Sequence, residues 1–150
     1  MTETEFRFKH SEIIEYYQLI EMRLKGICAA LMADGNKGWY ERLAEYEHDP
    51  MKRLIDGIDT IQDQKETKPF SKEDFDALDD LRKTRNYWAH DCFAGNHHVC
   101  FKNGEVRNQK HAERIMSDFE TAVAWDKKLA KIFRGFKKET ERKTCLSVRP

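Results

Sequence analysis

The sequence predicts an all-α protein: an up-and-down bundle of four to five helices, with a short loop or β-hairpin excursion before the last one. Three observations carry this. Only three prolines and seven glycines interrupt 150 residues, so helices can run long. Apolar side chains recur at three- and four-residue steps through most of the chain. The length suits a single domain, enough for a real core but not for two.

The first helix is expected over 11–35, with Ser11 as N-cap, apolar residues at 13, 16/17, 20, 24, 27/28 and 31, and Gly35 as the stop. A short helix over 37–46 follows. Asp49 and Pro50 then supply a cap and a first-turn proline for a third helix over 50–64. The polar run 64–69 reads as a loop. Ser71 opens the fourth helix, with Asp74 completing a capping box and Phe70 placed to staple the entry. This helix runs to about Phe93, where Gly95 and Asn96 break it. Within 97–107, Asn103-Gly104 sits between short apolar–polar alternations, a hairpin signal. The last helix spans about 109–138, with Ile115, Phe119, Ala122, Leu129, Phe133 and Phe136 on one face, and a basic tail over about 137–150 is expected to be flexible.

Charged residues make up 36% of the chain, yet 27 basic side chains balance 27 acidic ones and mean hydropathy is −0.84. Net charge therefore selects no polyanionic partner. No apolar run approaches the ~18 residues of a membrane span and no secretion signal is visible, so a cytoplasmic protein without membrane contact is expected. Cys28, Cys92, Cys100 and Cys145 are scattered, which in a cytosolic chain implies reduced thiols. His90, His97, His98 and Cys100 fit no standard zinc spacing, and no metal or other cofactor is expected.

The fourth helix breaks its own pattern. At about 100° per residue, Phe75, Ala77, Leu78, Leu81, Trp88, Ala89, Cys92 and Phe93 fall within one arc, with Asp76, Asp79, Asp80, Lys83, Thr84 and Tyr87 opposite. Arg85 lands near the middle of the apolar arc. Arg82, Asn86 and His90 share its edge at four-residue steps. A guanidinium removed from water costs several kcal/mol unless paired. A salt bridge to Asp56 or Asp59 on another helix, or a homodimer seam, would each account for Arg85 structurally.

Taken together, Arg85, Asn86 and His90 in 85-RNYWAH-90 form the pattern R-N-x-x-x-H. In this motif, in its place near the end of a late helix, and in a helical chain of this length, the sequence resembles the HEPN superfamily. That resemblance implies a metal-independent endoribonuclease working at a dimeric cleft, in the setting of a toxin or defence effector with an antitoxin or other partner protein. It equally implies the alternative of a non-catalytic module that binds RNA, nucleotide or protein. The residue types suit the chemistry on their own terms. Histidine handles protons near neutral pH, arginine offers a fixed cationic fork to phosphate oxygens, and Asn86, one helical turn before His90, can hydrogen-bond the imidazole or a phosphate oxygen and so fix the ring's orientation. One histidine performs only half the acid–base work, so a homodimer would supply the second. Arg82 is a further candidate phosphate contact, and Trp88 and Tyr87 candidates to stack on bases. Some members carry a modifiable tyrosine two residues after the histidine; here that position is Cys92. On the last helix, Lys127, Lys131, Arg134, Lys138 and Arg142 form one basic stripe, a candidate track for an RNA backbone. The acidic cluster Asp74, Asp76, Asp79 and Asp80 would confine RNA to the far end of the motif helix.

Overall fold

Long amphipathic helices with few breakers bury their apolar stripes against one another, and the chain does so as an all-α bundle, described here from a computed structural model. It describes residues 1–33, 37–66, 68–94 and 98–147, with side chains to Phe136. In order these are α1 (Glu3–Met32), α2 (Trp39–Glu45), α3 (Met51–Gln62), α4 (Lys72–Asn86) continued by a π-turn (Tyr87–Asp91), a two-stranded hairpin of β1 (Phe101–Lys102) and β2 (Glu105–Val106), and α5 (Gln109–Ser147).

The first helix starts well before Ser11. Thr2 is its N-cap, accepting from the Glu5 amide while the Glu5 carboxylate accepts from the Thr2 amide. Ser11 lies inside the helix, its hydroxyl donating to the Arg7 carbonyl. The inward stripe is Phe6, Ile13, Tyr17, Ile20, Leu24, Ile27 and Leu31, all buried. Helix α3 is capped at Pro50, and Asp49 instead pairs with Arg53 at 3.2 Å. The Ser71–Asp74 capping box forms, and Phe70 packs on Phe75 with ring centroids 5.6 Å apart, so the entry to α4 is fixed as its sequence requires. Asn103 and Gly104 both take positive φ, 54° and 77°, the left-handed pair that a tight two-residue hairpin turn demands. This hairpin is tied to the start of α1, since Gly104 O accepts from Glu3 N at 2.8 Å and Met1 O from Val106 N at 3.1 Å. The expected stop at Gly35 and break at Gly95-Asn96 lie outside the described residues. The backbone of α5 remains helical to Ser147, beyond the expected end near 138.

Paired contacts set the directions. Tyr16 meets Phe119 and Arg23 meets Asp126, so α1 and α5 run parallel. Asp74 meets Lys128 while Trp88 meets Asp118, so α4 runs antiparallel to α5. The buried side chains form one continuous cluster drawn from α1, α3, α4, the π-turn and α5. Among the described residues no helix is long and apolar enough to cross a membrane.

Candidate functional site

On a regular α-helix, residues five apart point about 140° away from each other, so Arg85 and His90 would diverge. The chain departs from the α-helix between them. Cys92 N donates to Tyr87 O at 2.8 Å, five residues back instead of four. A π-turn carries one more residue per turn, which returns position i+5 nearly over position i. Arg85 Nη1 accordingly lies 3.4 Å from His90 Nε2 and 3.3 Å from Asn86 Oδ1. A guanidinium has no acceptor, so this contact requires His90 Nε2 to be unprotonated, with the ring proton on Nδ1.

Arg85 is not at the centre of a buried face. Its side chain keeps 32% exposure, and its nearest carboxylate is Glu21 of α1, with Nη2 3.8 Å from Oε2. The expected structural partners are elsewhere: Asp56 pairs with Lys52 at 3.0 Å, and Asp59 is exposed. His90 is exposed. Asn86 engages the guanidinium and not the imidazole, so it orients Arg85; the expectation that it steers His90 does not hold. Glu21 was not among the sequence candidates, and its one signal is an acid placed next to the inward positions Ile20 and Leu24.

The remaining candidates separate from this centre. Arg82 Nε donates to Asp79 Oδ1 at 2.9 Å, and its side chain is 22% exposed. Trp88 is fully buried, its Nε1 donating to Asp118 Oδ2 at 2.8 Å, which makes it core and removes it as a base-stacking platform. Tyr87, expected on the solvent side, is half-buried under the Arg114 guanidinium, 3.8 Å from its ring centroid. Ala89 and Phe93, expected in the apolar arc, are exposed, while Trp88 and Cys92 from the same arc are buried.

Lys127, Lys131 and Arg134 are exposed opposite buried Leu129; the side chains of Lys138 and Arg142 lie outside the described residues. Within one chain the stripe is not brought to the motif. Lys128 pairs with Asp74 at the start of α4, whereas His90 lies at its other end. Lys127 is about 14 Å further along α5 than Asp118, the residue that touches the π-turn, at 1.5 Å per residue.

Among the described residues no group of three or more His, Cys, Asp or Glu is placed to hold a metal ion; His97 lies outside them. Cys28, Cys92 and Cys100 are free thiols. Burial pushes Cys28 up to about 12 and Cys92 up to about 11. No family model, curated protein or solved structure matches the chain.

Proposed function

We propose that the chain is a HEPN-type, metal-independent endoribonuclease whose proton handler is His90 and whose phosphate stabiliser is Arg85, oriented by Asn86. The observation that carries this reading is the 3.4 Å approach of Arg85 Nη1 to the exposed His90 Nε2 across the π-turn. A histidine and an always-charged fork that share one solvent-reachable point fit phosphodiester chemistry.

Arg85 holds only weak partners: two long contacts from one nitrogen and a carboxylate 3.8 Å from the other. A phosphate oxygen accepts charge-assisted hydrogen bonds that are about twice as strong as neutral ones. Its arrival draws the guanidinium off Nε2 and leaves that lone pair free to act as base. The 2′-oxygen then bonds to phosphorus as its proton passes to Nε2, the P–O5′ bond breaks, and O5′ takes a proton from a second imidazole. The products are a 2′,3′-cyclic phosphate and a 5′-hydroxyl end.

The second imidazole belongs to a second copy of the chain. Phe8, Leu19 and Met22 are exposed on one face of α1 and Phe93 is exposed just past the π-turn, apolar surface of the kind a partner copy covers. The exposed cations Lys127, Lys131 and Arg134 would add salt-sensitive affinity for the RNA backbone at a distance from the reacting bond.

The test is cleavage of single-stranded RNA in chelator-treated buffer by wild type, Arg85→Ala and His90→Ala, with folding and association state measured in parallel. Either substitution is expected to lower cleavage by about 10²-fold or more while the fold persists. Equal cleavage by all three proteins would overturn the assignment. RNA binding by the wild type without any cleavage would favour the non-catalytic module.

A further inference from the structure

The π-turn places the Arg85–His90 pair, and it leaves a carbonyl over. In an α-helix Trp88 O would accept from Cys92 N, but that amide has gone to Tyr87 O. A buried carbonyl without a donor is costly, so the turn persists only if something else serves it. His10 does. Its Nε2 lies 2.8 Å from Trp88 O, and because a carbonyl only accepts, Nε2 must carry the proton. The Cys92 thiol donates to the same oxygen from 3.2 Å, occupying its second lone pair.

His10 is also where the inward stripe of α1 turns polar, between buried Phe6 and Ile13. Its ring is held by edge-on packing against Phe93, with centroids 5.1 Å apart, and against Trp88 at 6.2 Å. The imidazole is thus aimed at Trp88 O by its surroundings. Trp88 itself is fixed independently through its Nε1 bond to Asp118 on α5. The carbonyl therefore stays in place while the amide that would relax onto it is displaced.

We infer that His10 is a positioning residue for the catalytic turn: its Nε2–H satisfies the Trp88 carbonyl, holds Tyr87–Asp91 in the π form, and thereby keeps His90 over Arg85. The inference rests on His90 as the proton handler for its functional consequence, but its structural content stands without it. Without the His10 donor, Cys92 N returns to Trp88 O, the extra residue is expelled from the turn, and His90 swings away from Arg85 by a large fraction of the 140° that a regular helix imposes.

Two variants separate the donor from the packing. His10→Gln keeps an N–H donor at comparable reach; His10→Met keeps apolar volume and removes the donor. Each is measured by NMR of the Cys92 amide and the His90 ring, and by RNA cleavage kinetics. In His10→Met the Cys92 amide and His90 ring resonances are expected to move and kcat to fall about 10²-fold, the scale of an ångström-sized misplacement, with KM changed less than threefold. His10→Gln is expected to restore both. The idea is overturned if His10→Met, folded, leaves the Cys92 and His90 signals where they are, or if His10→Gln shifts them as far as His10→Met does. Because the NMR readout needs no turnover, a wild type inert towards RNA removes the ribonuclease reading alone and leaves His10 to be judged on the turn.

Discussion

Arg85 Nη1 and His90 Nε2 stand 3.4 Å apart although five residues separate them, and the π-turn at Tyr87–Asp91 is what closes the gap. The same guanidinium nitrogen reaches Asn86 Oδ1, and a second reaches towards Glu21. One planar cation thus links α1, the end of α4 and the imidazole.

This geometry depends on the shape of arginine and not only on its charge. Arg85→Lys keeps the charge but offers a single ammonium on a flexible stem, which cannot meet Asn86, His90 and a phosphate oxygen from fixed directions. Cleavage by Arg85→Lys is expected to fall by more than tenfold, closer to Arg85→Ala than to wild type. Stability should change by less than about 1 kcal/mol, because the group is partly exposed and its ion pair long. Urea melts alongside the RNA assay check both halves. A fully active Arg85→Lys would mean that charge alone suffices there.

Thiol reactivity follows burial. Cys28, which donates to Leu54 O, is pushed up to about 12, and Cys92, beside His10 and Trp88 O, up to about 11. The sign is that of a thiol kept neutral, so at pH 8 only about 10⁻⁴ and 10⁻³ of these groups are thiolate. Cys100 is only partly buried. Iodoacetamide at pH 8 is expected to label Cys100 well before Cys28 or Cys92, which should react readily only after denaturation. Peptide mapping by mass spectrometry reads the order.

Gln62 is the one buried polar side chain among the described residues of the core, and it clamps the α3–α4 connection. Its Nε2 donates to Phe70 O at 3.1 Å and its Oε1 accepts from Phe70 N at 3.2 Å. Gln62→Leu conserves volume but leaves both backbone groups buried without a partner, at about 1–3 kcal/mol each. A loss of about 2–4 kcal/mol in denaturant unfolding is expected. A loss below about 0.5 kcal/mol would mean that water reaches the Phe70 backbone.

Much of the bundle was legible in sequence because its signals are local. Ser71, Asp74 and Phe70 carry the start of α4 within five residues, and Asn103-Gly104 carries the hairpin in two. Thr2 and Glu5 hold the same capping signature, but His10 interrupts the apolar stripe behind them, which places the apparent helix start at Ser11. The site was legible as residue types and not as geometry. Arg85, Asn86 and His90 can be picked out from the pattern, whereas a wheel at about 100° per residue sets Arg85 in the core and sends His90 elsewhere. The π-turn that reverses this depends on a donor from His10, 78 residues away in sequence. No local pattern announces such a partner, and Glu21, 64 residues before Arg85, is hidden in the same way.

Gly26 is a joint between three helices and should resist substitution. A Cβ there would meet Phe133 Cε2 of α5 at 2.8 Å, closer than carbon atoms approach. The Phe133 ring has little room to yield, since Trp39 of α2 packs on it at 5.9 Å, and the Trp39 indole donates to Gly26 O at 3.1 Å. Two effects oppose each other. Alanine in a helix interior is favoured over glycine by about 1 kcal/mol, while forcing a methyl into a filled contact costs about 1–3 kcal/mol. The clash is expected to win, leaving Gly26→Ala net destabilised by about 1 kcal/mol. Trimming the ring should reverse the sign: in a Phe133→Leu background the same substitution is expected to be neutral or stabilising. A double-mutant cycle in urea measures this coupling directly. If Gly26→Ala stabilises the wild-type protein, α1 and α5 do not meet through Phe133 as tightly as this contact requires.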